Sequence, residues 1–220
     1  MGFVGTDGTQ LTLDGTPWRF IGINMWQAVW IAQEDPARLR RELDRLAMLR
    51  VQVVRITAAS EGSSDTPLLA TPTMQPRPGV FRAAWGVALD IVLEEMHARG
   101  MRAILTLNNQ WTWSGGFATY LVWARGRPWQ TIPFPASHLE GYWESVPPSS
   151  HPHNKAADWD TFQTFATAFF DSPRAMALAE DSMRWLLLRT NTRTGVPYAD
   201  DPTSTQRASG STLPASGPGP

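Results

Sequence analysis

A chain of 220 residues with 42% hydrophobic and 18% charged side chains holds enough apolar surface for a substantial core, which excludes a disordered protein. A net charge of -1 without a Lys/Arg run argues against nucleic acid or an anionic membrane as partner, and the absence of cysteine removes disulfide and thiolate chemistry. The opening MGFVGTDGTQ has neither a basic nor an apolar signal region, and no apolar run of about eighteen residues follows, so a soluble chain without its own export signal, or one whose signal lies outside this sequence, is expected, its compartment undetermined.

Taken in order, residues 10–13, the Asp14-Gly15 pair and residues 18–24 read as a hairpin running into a buried strand, because Asp-Gly between apolar runs is a two-residue turn signal. Phe20, Ile21 and Ile23 make the second run apolar on both faces. Asp35-Pro36 supplies an N-cap and a proline at N1 for a helix in which Leu39, Leu43, Leu46 and Leu49 keep helical spacing, ending near Arg50. Val51, Val53, Val54 and Ile56 then form the β-branched run of a parallel strand covered on both faces.

A Ser/Thr/Pro-rich loop, 58–79, precedes a second amphipathic helix, its buried face marked by Val87, Ile91, Val92, Leu93 and Met96 and its stop by Gly100. Residues 101–107 are a third buried strand. Strand, helix, strand, helix, strand implies a parallel sheet with helices outside. Residues 108–158 read as a long aromatic and proline-rich loop, a length usually tied to function. A third helix follows over 173–189, capped by Asp171 or Ser172, with Leu178, Met183, Leu186 and Leu187 along one side. Thirteen of the last eighteen residues, 203–220, are Ser, Thr, Gly or Pro, so this tail is expected to be disordered and the folded unit to span 1–202.

In β/α barrels the functional groups sit where strands end and loops begin. The three strand ends here lead into Asn24-Met25-Trp26, into Arg55-Ile56-Thr57 and then Ser60-Glu61-Gly62, and into Asn108-Asn109-Gln110-Trp111-Thr112-Trp113. An arginine ending a buried apolar strand is costly unless paired or facing a polar site, so Arg55 is a candidate for active-site support. Asn108 and Asn109 beside Trp111 and Trp113 combine amide hydrogen bonding with flat apolar faces, which suits a polyhydroxylated ring; a capped turn with two core tryptophans fits the spacing equally. Eleven tryptophans against three tyrosines could supply such platforms, but on count alone core packing is the favoured reading of any single Trp, and position has to decide each case. His138, His151 and His153 lie in a Pro/Ser-rich stretch without a nearby acid and read as surface residues, not metal ligands.

The blocks FVGTDGTQLTLDGTPWRFIGIN, VVRI, ASEG, RGMRAILTLNNQWTWSGGFATYLVWA and TRTGVPYADDPT resemble those of the endo-β-1,4-mannanases of glycoside hydrolase family five, over Phe3 to Thr203. The resemblance implies a TIM-type (β/α)8 barrel, retaining endo-hydrolysis of β-mannans without a cofactor or a protein partner, and a family whose members are commonly secreted. It makes Arg55 the family arginine beside the nucleophile and places Trp26, Asn108, Asn109, Trp111 and Trp113 in segments lining the glycan cleft.

A retaining glycosidase needs two carboxyl groups about 5 to 5.5 Å apart. In the family pattern one is the Glu of an Asn-Glu-Pro motif ending strand four, the other a Glu ending strand seven. Neither is present: the pattern stops at Ser204, where strand four should begin, and STQRASGSTLPASGPGP holds no acid. At about 30 residues per β/α unit, three units use the chain as far as Asp201, so an α/β fold comprising a partial TIM barrel of three units after an N-terminal β-hairpin is expected. Glu61 lacks a carboxylate partner and is expected to cap or orient its loop. The tail is expected to be out of frame: encoded as ACT CAA CGA GCC TCG GGC, residues 205–210 become Leu-Asn-Glu-Pro-Arg when shifted by one base. A non-catalytic mannan-binding module and a truncated product without function stay open beside an inactive part of a mannanase.

Overall fold

The computed structural model describes residues 2–136 and 157–204. His138, His151 and His153, and the tail beyond Ser204, lie outside them. Strands β1 (Val4–Asp7), β2 (Gln10–Leu13) and β3 (Thr16–Pro17) form an antiparallel meander. Asp14 and Gly15 both take positive φ (51° and 78°) between the paired Leu13 and Thr16, as the two-residue turn demands. The second arm is shorter than its sequence suggests. Pro17 has no N–H for the ladder, and after one further bond from Trp18 N to Leu11 O at 2.8 Å the chain leaves this sheet.

It enters a second sheet, of order β4-β5-β6 and wholly parallel, through β4 (Gly22–Asn24), β5 (Val53–Thr57) and β6 (Arg102–Thr106). Asn24 pairs with Arg55, and Arg55 with Ile104. The crossovers are α1 (Ala28–Glu34) with α2 (Pro36–Met48), and then α3 (Ala83–Ala98). Their apolar stripes cover one face of the sheet: Leu39, Leu43, Leu89, Val92, Leu93 and Met96 pack with Val54, Ile56 and Ala103 in one core. The Asp35 side chain accepts from Arg38 N at 2.9 Å with Pro36 in the first turn, and Arg50 and Gly100 end the two long helices at φ 59° and 69°.

Several expectations need correction. Phe20, Ile21 and Ile23 are exposed: among the described residues β4, which holds Ile23 and which Phe20 and Ile21 precede, is paired on one side only. Leu49 follows α2 and is exposed; Val87 is exposed because α3 buries the stripe Trp85, Leu89, Val92, Leu93 and Met96, which Val87 misses. The stretch 108–158 is not one loop: it holds α4 (Gly116–Ala124), whose N-terminus adjoins a short 3-10 turn, Thr112–Ser114, and α5 (Trp159–Thr167) starts at its end. In α6 (Pro173–Leu187), capped by Ser172, the buried stripe is Ala175, Ala179, Ser182 and Leu186, with Leu178, Met183 and Leu187 only half-buried.

Beyond α6 the chain is fixed by Asp90 on α3. This buried carboxylate accepts from Arg189 (3.0 and 2.6 Å), from Thr192 N (3.1 Å) and Oγ1 (2.6 Å), and from the Tyr198 hydroxyl (2.6 Å). Burial pushes Asp90 up, but the bonds from Arg189, Thr192 and Tyr198 outweigh it and hold the group below the ordinary carboxylate value. The segment then reaches β6, where Ala103 N donates to Thr203 O at 2.6 Å and Ser204 bridges Ala103 in parallel. Ser204 thus stands beside the outer edge of β6, where a fourth parallel strand would start.

Candidate active site

The three parallel strands deliver their last residues to one end of the sheet. Arg55 is the only exposed residue of β5, and its Nη1 donates to Asn24 Oδ1 at 3.3 Å on the face opposite the helices. Among the described residues Arg55 forms no salt bridge. An unpaired guanidinium beside a side-chain amide is free to meet an acid or a hydroxyl.

The aromatic candidates separate into two pairs. Trp26, just after β4, meets Trp113 of the 3-10 turn with ring centroids 4.6 Å apart, and Trp113 also packs on the main core. Trp26 keeps 37% of its surface exposed, enough to offer an indole face. Trp111 is 48% exposed and stacks on Trp159 of α5 at 5.5 Å. Sequence patterning missed Trp159, since nothing local ties it to Trp111.

The two asparagines part company. Asn109 Oδ1 accepts from Trp111 N at 2.9 Å and Ser114 Oγ at 2.6 Å, closing a local turn and leaving only its amide nitrogen for a ligand. Asn108 Oδ1 is buried without a hydrogen-bond partner and lines an apolar groove between β6, α4 and α6, with Phe117, Phe169 and Met183. That groove follows the outer edge of β6. Trp26 and Trp113 are thus in contact, Asn109 closes the turn that carries Trp113, and Asn108 Oδ1 lies both on the groove and beside Gly116, 3.2 Å from where a Cβ there would stand.

Glu61 lies beneath this turn. Its side chain is buried, with Oε2 accepting from Gly116 N at 2.9 Å and Oε1 from the Tyr120 hydroxyl at 3.0 Å. Burial pushes the carboxyl from its ordinary 4.5 up to about 7, against the lowering effect of those two bonds. Burial, and then the adjoining Glu61, push Tyr120 upward, so it remains a hydroxyl donor. No second carboxylate hydrogen-bonds to Glu61 among the described residues, and within the same residues no three His, Cys, Asp or Glu side chains gather as metal ligands. Gly115 and Gly116 take φ 87° and 61°; a Cβ would stand 1.9 Å from Glu61 O at the first and 1.7 Å from Asn109 O at the second. Only glycine fits at either position.

Residues 1–207 match the family model described as GH family 5 beta-mannosidase-like. The chain is 30% identical over 205 residues to mannan endo-1,4-beta-mannosidase 3 of Oryza sativa, covering 91% of this chain and 35% of that protein. It is 28% identical over 203 residues to mannan endo-1,4-beta-mannosidase 4 of Solanum lycopersicum, covering 91% and 41% respectively. A solved family 5 mannosidase from Rhizomucor miehei superposes with a TM-score of 0.78 at 32% identity, over 92% of this chain and 47% of that one. The chain thus spans less than half the length of these relatives. With parallel strands and crossover helices that match part of such a barrel, the chain belongs to the mannosidase and mannanase family of glycoside hydrolase family 5, whose members are retaining hydrolases.

Proposed function

We propose that this chain supplies one wall of the glycan cleft of a β-mannan-degrading hydrolase and does not itself cleave the polymer. The observation that carries the reading is the contact of Trp113 with the exposed Trp26, which stands two residues beyond Asn24, the β4 residue to which Arg55 donates at the end of the parallel sheet. Indole faces stack on the apolar faces of sugar rings, while Arg55, Asn24 and the Asn109 amide offer hydrogen bonds to hydroxyls. Solved relatives support the substrate class: a single-substitution variant of the Rhizomucor mannosidase is described in complex with mannosyl-fructose. Hydrolysis with retention needs a carboxylate pair, and Glu61, enclosed by Gly116 and Tyr120, presents no oxygen to a cleft. Endo-action follows the plant relatives; the 32% identity to the Rhizomucor mannosidase favours a second reading, action at chain ends.

Co-sedimentation with insoluble β-1,4-mannan tests the proposal. The chain should pellet with mannan and not with chitin, and Trp26→Ala should weaken that partition. Equal partition onto both polymers, or pelleting with mannan that soluble mannohexaose fails to compete, would refute a mannan cleft.

A further inference from the structure

We propose that Glu61 is a positioning residue of the glycan cleft, its buried carboxylate holding α4 and thereby the turn that presents Trp111 and Trp113. The functional half of this inference rests on the cleft reading above.

The first N–H groups of a helix have no partner inside it. In α4 the Gly116 N–H goes to Glu61 Oε2 and the Phe117 N–H to Asn109 O at 3.0 Å. One turn further, Tyr120 gives its hydroxyl to Glu61 Oε1, so the two carboxylate oxygens grip α4 at two points along its axis. The loop that carries Glu61 also takes the turn by its main chain: Glu61 N donates to Ser114 O at 3.0 Å and Ala70 N to Trp113 O at 2.8 Å. The main-chain bonds fix where the turn lies. The carboxylate fixes how α4 is rotated against it, and with α4 the direction of the residues between Asn109 and Gly116.

The close approach at Gly115 and Gly116 makes the arrangement sensitive to small shifts. Both positions sit against main-chain oxygens that a Cβ would overlap, so the turn has no slack on the side of Glu61 or of Asn109. A shift of α4 is transmitted to Trp113, whose ring meets Trp26.

The same geometry says which substitution should rescue. Tyr120 Oη also lies 3.4 Å from Gln75 Oε1. With a glutamine at 61, the amide oxygen accepts from Gly116 N, the amide nitrogen donates to Tyr120 Oη, and the hydroxyl turns to Gln75. Every buried donor keeps an acceptor. With alanine at 61, Gly116 N–H loses its acceptor and a void opens beneath the turn.

The test is 19F NMR of the whole chain labelled with 5-fluorotryptophan, with Trp85, Trp111 and Trp113 assigned by substitution to Phe. Trp85 is fully buried in the main core and reports global folding. Glu61→Gln should leave all three resonances in place. Glu61→Ala should move Trp111 and Trp113 and spare Trp85. Addition of mannohexaose should shift Trp113 in the wild type and in Glu61→Gln, with that response lost in Glu61→Ala. Unmoved Trp111 and Trp113 lines in Glu61→Ala, beside a native Trp85 line, would overturn the positioning role. If Glu61→Ala also displaces Trp85, Glu61→Asp, one methylene short of both donors, decides: shifted Trp111 and Trp113 lines support the role and unshifted ones overturn it. A wild type blind to mannohexaose refutes the cleft reading separately, because the ligand-free comparison does not depend on it.

Discussion

Replacing Glu61 by glutamine should flatten the pH dependence of stability near neutrality. The folded chain holds the Glu61 proton up to about pH 7, whereas an unfolded chain releases it near the ordinary 4.5. Between those values the native state binds more protons than the unfolded state, so stability falls as pH rises. This contribution is complete below pH 4.5 and lost once pH passes the folded value. Its size, from the separation of the two values at 1.36 kcal/mol per pH unit, is about 3 kcal/mol. For a chain of this length that corresponds to about 6–12 °C in Tm. Glutamine keeps the hydrogen bonds to Gly116 and Tyr120 but has no proton to lose. Urea unfolding of both proteins from pH 5 to pH 8 isolates the effect, because every other group cancels in the difference. The variant should gain about 2.5 kcal/mol on the wild type across that range, which begins just above the pH at which the contribution is complete. A difference constant to within about 0.5 kcal/mol would refute the upward shift of the buried Glu61 carboxyl.

Two other perturbations follow from the packing. Asp90→Ala leaves the Arg189 guanidinium, 17% exposed, without its carboxylate and releases Thr192 and Tyr198, so chemical denaturation should show a loss of about 3 kcal/mol. Because Asp90 is held below its ordinary 3.8, its contribution should be complete above about pH 4 and disappear as acid protonates the folded chain. Gly116→Ala places a Cβ 1.7 Å from Asn109 O at a positive φ, and should cost more than the 1 kcal/mol or so of an ordinary strained glycine site, read as a lower midpoint in urea.

Local chemistry was the legible part of this fold. The Asp35-Pro36 cap, the Asp14-Gly15 turn and the Gly100 stop each depend on residues within one or two turns, and the β-branched run at 53–57 marks its strand unaided. Exposure of Phe20, Ile21 and Ile23 depends on what lies beside β4, which no local pattern encodes. Helix α4, GFATYLVWA, is apolar around most of its circumference, so it shows no polar stripe and passes for an aromatic loop. At the site, strand-end position singled out Arg55, Trp26 and the 108–113 stretch. It did not separate Asn108 from Asn109, whose roles are set by the turn between β6 and α4. Glu61 showed only as a lone acid, because Gly116 and Tyr120 lie 55 and 59 residues further along the chain.

Under the proposed function these residues hold a β-mannan chain without cutting it. Saturation-transfer NMR of mannohexaose with the purified protein, followed over a day, reads both halves in one sample. Transfer to the sugar protons is expected, lost in Trp113→Ala, with no new reducing-end anomeric signals. Growth of such signals in step with protein concentration, or the absence of any transfer, would contradict it.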